Sequence, residues 1–173
     1  MIRRPILAIQ AWHYTDDEER SALDELELLS DRAAGIVATT MLENSINEVL
    51  HYAVRDDDPN LIKELFTEGG PLGTLSSKIK VLYALGLTTK DGRHDLDAIR
   101  KIRNEFAHRL SGSSFASESI KDRCLALRLV GKAVVNPPEA LKIDARTRFF
   151  FTIHHLRSCM LVRAPQSTAS PYF

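Results

Sequence analysis

The stretch Leu96-Asp-Ala-Ile-Arg-Lys-Ile-Arg-Asn-Glu-Phe-Ala-His-Arg-Leu110 has the spacing of an amphipathic helix. At about 100° per residue its apolar side chains share one stripe. These side chains are Leu96, Ile99, Ile102, Phe106 and Leu110. Arg103 projects from within the stripe, which places its charge on a core-facing surface. Because burying an unpartnered polar group costs roughly 2–7 kcal/mol, Arg103 requires an anion, backbone carbonyls or a subunit interface.

Helical spacing of apolar residues continues on both sides of this stretch, and no run shows the alternation of a strand. Asp31 is predicted to cap a long central helix through Val54, and Asp144 to cap the last helix through Val162. The Asp91-Gly92 pair is predicted to turn the chain into the opening helix, which ends near Leu110. Further helices are predicted over residues 16–29, 61–66, 75–85 and 118–130. The sequence therefore predicts an all-α helical bundle with a long antiparallel pair at its centre.

The length of 173 residues suits one domain with its own hydrophobic core. Residues 1–163 are predicted to form this bundle, with residues 1–14 as an N-terminal extension. Residues 164–173 are rich in Ala, Ser and Pro and are predicted to be a flexible tail.

Composition limits the classes of function. Lysines plus arginines equal aspartates plus glutamates at 23 each, so no global field attracts nucleic acid. Cys124 and Cys159 lack the spacing of a metal site, and two buried thiols in a reducing cytosol are expected. No stretch approaches the roughly 20 apolar residues of a membrane helix. A cytoplasmic protein without metal or cofactor is expected.

Three local patterns have both a functional and a structural interpretation. Asp56-Asp57-Asp58-Pro59 could bind a metal, but a solvated turn before a helix is the commoner outcome. Residues 68–74, Glu-Gly-Gly-Pro-Leu-Gly-Thr, could cradle a phosphate, yet they lack the Lys-Ser/Thr end of a P-loop. Tight-turn packing is therefore favoured there. His154 and His155 lie about 100° apart on a helix, which favours a surface or packed pair over a metal site.

Arg103, Asn104 and His108 could support metal-independent cleavage of RNA. A histidine near neutral pKa can remove a proton from a ribose hydroxyl, and a guanidinium can hold the phosphate as charge develops. Asn104 could orient the imidazole. A local basic rim would come from Arg100, Lys101 and Arg109. In the structural alternative, Arg103 binds helix-end carbonyls or a carboxylate such as Glu43 or Glu48, and His108 interacts with the helix dipole.

Two resemblances bear on this choice. The Arg103-Asn104-Glu105-Phe106-Ala107-His108 pattern resembles the Arg-polar-x-x-x-His signature of the HEPN superfamily, helical bundles that include RNA-cleaving toxins. Residues 69–87, Gly-Gly-Pro-Leu-Gly-Thr-Leu-Ser-Ser-Lys-Ile-Lys-Val-Leu-Tyr-Ala-Leu-Gly-Leu, together with the following helix, resemble the mannitol operon repressor (MltR) family. The specific part is the glycine-proline loop with the Leu-Gly-Leu helix stop. These resemblances imply a HEPN-like or MltR-like helical bundle and a homodimer.

The MltR-like resemblance implies a cytoplasmic repressor of sugar-alcohol uptake genes that acts by binding, and such a regulator could act through a protein partner. Direct DNA binding is not expected, because the sequence shows no helix-turn-helix and no excess of basic residues. The alternative is a HEPN-type ribonuclease or toxin that binds RNA and works across a homodimer. In that case His108 is the general acid or base, Arg103 stabilises the phosphate, Asn104 orients them, and no metal takes part.

Overall fold

The computed structural model describes residues 25, 26, 28–54, 58–109, 112–130 and 143–163, with side chains described through residue 160. All regular structure in these ranges is helical, which confirms the predicted all-α class. The helices are α1 (Asp31–Ala53), α2 (Pro59–Phe66), α3 (Leu75–Ala84), α4 (Lys90–His108), α5 (Glu118–Leu125) and α6 (Ala145–Arg163). None of them combines the length and apolarity needed to cross a membrane. The predicted extension 1–14, most of the predicted helix 16–29, Leu110 and the tail lie outside the described residues.

Polar side chains fix where the helices begin. Thr74 Oγ1 accepts from Ser77 N at 3.1 Å before α3, and Thr89 Oγ1 accepts from Gly92 N at 3.1 Å before α4. Each such cap satisfies a first-turn N–H and is worth about 1 kcal/mol. The prediction that Asp91-Gly92 forms a turn before α4 is wrong, because both residues lie inside its first turn.

The predicted cap of the central helix is also corrected. Ser30, one residue before Asp31, caps α1 by accepting from Ala33 N at 3.3 Å. Asp31 is the first helical residue, and its carboxylate instead accepts from Phe115 N at 3.1 Å and pairs with Arg146. Its long-range partners could not be deduced from local spacing. Asp144 caps the last helix as predicted, accepting from Thr147 N at 2.8 Å.

Helix α1 lies at the centre of the bundle and packs against α6, α4 and α3. The apolar stripe of α4 faces this core, and Leu96, Ile99, Ile102 and Phe106 are buried as predicted. Gly35 allows close approach of α1 and α4, because a Cβ there would lie 2.7 Å from the Phe106 ring. The close packing of α1 against α4 therefore depends on a glycine opposite an aromatic ring.

Four phenylalanines form an aromatic cluster within the core. Phe115 lies 5.1 Å from both Phe106 and Phe149 between ring centroids, and Phe149 lies 5.5 Å from Phe150. Tilted and edge-on ring pairs of this kind add about 0.5–1.5 kcal/mol beyond area burial. The cluster joins α4 and α6 through the loop that carries Phe115.

Helix α5 is shorter than predicted, since it ends at Leu125 and not at Val130. The buried guanidinium of Arg148 donates to the carbonyls of Cys124, Leu125 and Leu127, which lie at and beyond the helix end. The next backbone N–H groups, of Arg128 and Leu129, donate to the Asp95 carboxylate. Long-range partners therefore replace the helical hydrogen bonds that would have continued α5.

The glycine loop before α3 is a tight turn, as favoured by the sequence. A Cβ at position 70 would lie 2.1 Å from Glu64 O, and one at position 73 would lie 2.5 Å from Thr67 O. Only glycine fits such close backbone contacts. The predicted stop of α3 is confirmed by Gly86, which has a φ of +69°. Asp58 accepts from Asn60 N and Leu61 N as the cap of α2, in agreement with the turn interpretation, whereas residues 55–57 lie outside the described ranges.

Candidate functional site

A cleft of about 300 Å³ opens where α1, α3 and α4 meet. Helix α4 contributes Arg100, Arg103 and Asn104, and α1 contributes Glu43. The remaining wall is the start of α3 and the turn before it, namely Gly73, Thr74, Leu75 and Ser76. The tight turn at Gly70 and Gly73 is what brings the first residues of α3 against this wall.

The two arginines of the cleft have few partners. Arg103 is half-buried and donates to Asn104 Oδ1 at 3.3 Å, the side chain next to it on the helix. Arg100 Nε lies 3.5 Å from Asp97 Oδ1 but is buried and makes no hydrogen bond within the described part of the chain. Both guanidiniums thus keep donors that the described residues leave unused.

Glu43 is the one carboxylate among the lining residues, and it is already paired. Lys78 Nζ lies 2.6 Å from Glu43 Oε1, and the Lys78 side chain is 7 % exposed. A buried ammonium needs such a partner, because removing one member of a buried pair costs about 3–5 kcal/mol. In the structural alternative Glu43 was one of several partners considered for Arg103, but Lys78 pairs with Glu43.

The first turn of α3 adds backbone donors. Ser77 N is satisfied by Thr74 Oγ1, and Lys78 N by Thr74 O at 3.0 Å. The N–H groups of Leu75 and Ser76 come earlier in the helix, where no intrahelical acceptor exists. They carry the partial positive charge of the helix N-terminus, and their residues line the cleft.

The rest of the Arg103–His108 motif serves the fold. Phe106 is in the core, and Glu105 accepts from Ser119 and from Arg123 at 2.7 Å, which ties α4 to α5. Ala107 O accepts from Arg32 at 3.2 Å. These contacts could not be predicted from local spacing, because the partners of Glu105 lie 14 and 18 positions away.

His108 is placed apart from the cleft. It is the last residue of α4, is exposed, and is not among the lining residues. Five positions along a helix turn a side chain by about 140° and advance it about 7.5 Å, which accounts for the separation from Arg103. The structure therefore brings together Arg103 and Asn104 but does not place His108 with them within one chain.

Of the three residues in the predicted basic rim, one lines the cleft. Arg100 lines the cleft, Lys101 is exposed and outside the lining, and Arg109 pairs with Glu105 at 3.2 Å. Sequence reasoning missed Thr74 and Ser76 as members of the site. Thr74 follows the glycine loop and is a residue type that caps helices, so the sequence could have indicated that a helix begins there. It could not have indicated which other helix this helix start lies against.

Chemically, the cleft offers donors to an anion. Among the described residues, no group of three or more His, Cys, Asp or Glu side chains is arranged to hold a metal ion. Guanidinium forks, an amide and free helix N–H groups are the donors that bind carboxylate and phosphate oxygens.

Comparison with known proteins places the chain in a family. The profile of the family described as "MtlR: Mannitol repressor" matches residues 12–168, which is most of the chain. The chain belongs to the mannitol repressor family. The resemblance seen in residues 69–110 is therefore confirmed, whereas no comparison shows the HEPN signature.

Relatives and a solved structure agree with this assignment. The mannitol operon repressors of Escherichia coli strains K12 and O6:H1 are each 27% identical over 113 residues, covering 64% of this chain and 57% of theirs. The chain thus matches less than two thirds of the length of these curated relatives. The fold is similar to that in the X-ray structure of the MtlR-HPr complex from Escherichia coli, with a TM-score of 0.65 and 22% identity. That match covers 82% of this chain and 96% of the other, and it confirms the helical-bundle architecture.

This member of the mannitol repressor family has a second, smaller cleft of about 100 Å³ between the start of α4 and α6. Cys159 and His155 line it, with Cys159 Sγ 3.7 Å from His155 Nε2. Burial lowers the pKa of His155, an effect that the Asp95 carboxylate opposes. The prediction that both cysteines are buried is wrong for Cys159, which is exposed, and right for Cys124.

The two thiols should therefore react differently. Burial raises the pKa of Cys124 to about 12, although the nearby Arg148 and Arg123 oppose the shift. At pH 8 only about one Cys124 in ten thousand is then a thiolate, the reactive form. Titration of the folded protein with Ellman's reagent should label Cys159 alone, and unfolding in denaturant should release Cys124.

The matched variants are Cys159→Ser, which should show almost no labelling while folded, and Cys124→Ser, which should label like the wild type. Rapid labelling of folded Cys159→Ser would contradict the assignment of Cys124 as the protected thiol.

Proposed function

We propose that this chain is a cytoplasmic regulator that represses sugar-alcohol uptake genes by binding, and that it acts through a protein partner. The observation that carries the proposal is the family match over residues 12–168. The E. coli protein of similar fold was crystallised with HPr, which makes HPr the first partner to test. A formal charge of zero supports a protein partner over direct attraction to the DNA backbone.

The test combines the purified chain with HPr from the same organism. Calorimetry should show saturable HPr binding, and light scattering of the free chain should give the mass of the homodimer expected from the sequence. In gel-shift assays, retardation of promoter DNA from a sugar-alcohol operon should require a protein partner in addition to the chain. Tight promoter binding by the chain alone, together with no HPr binding, would overturn the proposal.

The ribonuclease alternative is tested with the same preparation. Mixed RNA incubated with the chain in chelator should remain intact if the chain acts by binding alone. Within one chain His108 lies outside the cleft that holds Arg103, so the alternative requires the two side chains to meet across a homodimer. RNA cleavage that is lost in both Arg103→Ala and His108→Ala, but kept in Lys101→Ala, would defeat the regulator proposal. Lys101 is the matched control because it is an exposed cation on the same helix, outside the lining.

A further inference from the structure

The cleft between α1, α3 and α4 has features that the proposed function does not use. Its volume of about 300 Å³ is at the lower end of the range for small-molecule sites. Arg100, Arg103, Asn104, Thr74 and Ser76 give it a polar lining from two separate helices. A cleft of this size suits a ligand of few atoms rather than a macromolecule.

The charge of the cleft favours an anion. Glu43 pairs with Lys78, and Asp97 lies beside Arg100. With Arg103 included, three cationic side chains are set against two carboxylates. Arg103 forms no ion pair with the described residues, and its one hydrogen bond goes to the neutral Asn104. One positive charge is therefore left uncompensated at the wall of the cleft.

The arrangement of donors favours an anion with several oxygens. Arg100 Nε is buried and lies 3.5 Å from Asp97 Oδ1 without a hydrogen bond, and the described residues accept no hydrogen bond from the rest of its guanidinium. Leu75 and Ser76 also line the cleft, and their N–H groups belong to the first turn of α3, where the helix dipole favours an anion. Guanidinium forks on one side and helix N–H groups on the other can bind different oxygens of one phosphate.

We propose that this cleft binds the phosphate group of a small phosphate monoester. Arg100 and Arg103 hold two of its oxygens, and the N–H groups of Leu75 and Ser76 hold another. Asn104 and Ser76 Oγ are then available to hydroxyl groups of the ester. The proposal does not rest on HPr or on repression, so failure of either would leave it standing.

The test is calorimetry on the full chain at constant ionic strength, with glycerol phosphate, inorganic phosphate and glycerol as probes. Glycerol phosphate should bind saturably and more tightly than inorganic phosphate, while glycerol should give no signal. It should also raise the unfolding temperature, because a ligand that binds only the folded state stabilises it. No saturable binding of either phosphate would overturn the proposal, and equal binding of both would overturn the assignment of an ester.

Variants locate the site. Arg100→Gln and Arg103→Gln should each weaken binding about tenfold or more, because each removes charge-assisted hydrogen bonds. Lys101→Gln removes the same charge outside the cleft and should change binding by less than about twofold in physiological salt. An equal loss in Lys101→Gln, or none in the two arginine variants, would overturn the assignment. Arg103→Lys keeps the charge without the fork and should bind with intermediate affinity, and circular dichroism checks that every variant is folded.

Discussion

Replacing Asp95 with alanine should lower the free energy of unfolding by about 2–6 kcal/mol, because it leaves two backbone N–H groups without an acceptor at about 1–3 kcal/mol each. Asp95 is fully buried in α4, and its carboxylate accepts from Arg128 N at 3.0 Å and from Leu129 N at 2.9 Å. His94 Nδ1 lies 3.0 Å from the same group. Without the carboxylate, two backbone N–H groups lose their acceptor, and the hydrogen bond of Leu129 N is a buried one.

Urea unfolding of Asp95→Ala and of a matched control, Asp97→Ala, measures the effect. Asp97 is two residues away on the same helix, is 37 % exposed and makes only a surface pair with Arg100 at 3.5 Å. Its loss should change stability by no more than about 0.5 kcal/mol. Asp95→Asn, which keeps one acceptor oxygen, should fall between them. Equal midpoints for Asp95→Ala and Asp97→Ala would contradict this role.

Arg148→Met should destabilise the chain by about 3 kcal/mol or more, because each hydrogen bond from a charged group contributes about 1.5–3 kcal/mol. The Arg148 guanidinium donates to Cys124 O at 3.2 Å, Leu125 O at 3.3 Å and Leu127 O at 3.1 Å. Methionine keeps much of the apolar stem and so leaves little cavity. The loss of stability therefore measures the cost of leaving the carbonyls without donors. The end of α5 would then lose its hydrogen bonds to α6.

Chemical unfolding gives the size of the loss, and hydrogen exchange locates it. Amides of residues 126–130 should exchange faster in Arg148→Met, while those in the middle of α1 should change only by the global amount. Arg109→Met is the control, since Arg109 is 53 % exposed and its pair with Glu105 is a surface contact. Uniform acceleration across all helices, with no excess at residues 126–130, would contradict a local capping role.

Much of the fold was accessible from the sequence. The stripe of α4 was predicted residue by residue through Phe106, and the Gly86 stop and the Asp144 cap were predicted as well. These features depend on contacts within a few positions, where helical periodicity and capping chemistry are decisive. The errors were at Asp31, Asp91-Gly92 and the end of α5. At Asp31 and at the end of α5 the outcome depends on residues more than 20 positions away.

The candidate site was likewise predicted only in part from the sequence. Local spacing drew attention to Arg103 and Asn104, and both line the cleft. His108 was grouped with them on the same spacing, but within the chain it lies at the exposed end of α4. Glu105 was not singled out, although it ties α4 to α5 through Arg123.

The sequence by itself determined the helical class, the core face of α4, the charge balance and the likeness to the mannitol repressors. Each of these follows from residue type and near-neighbour spacing. The tertiary structure alone decided that α3 begins opposite Arg100 and Arg103, and that Lys78 rather than Arg103 pairs with Glu43. The reason is physical: residues of the cleft that lie 24 to 61 positions apart meet only after the helices pack, and the packing then selects which charges are paired and which face a cleft.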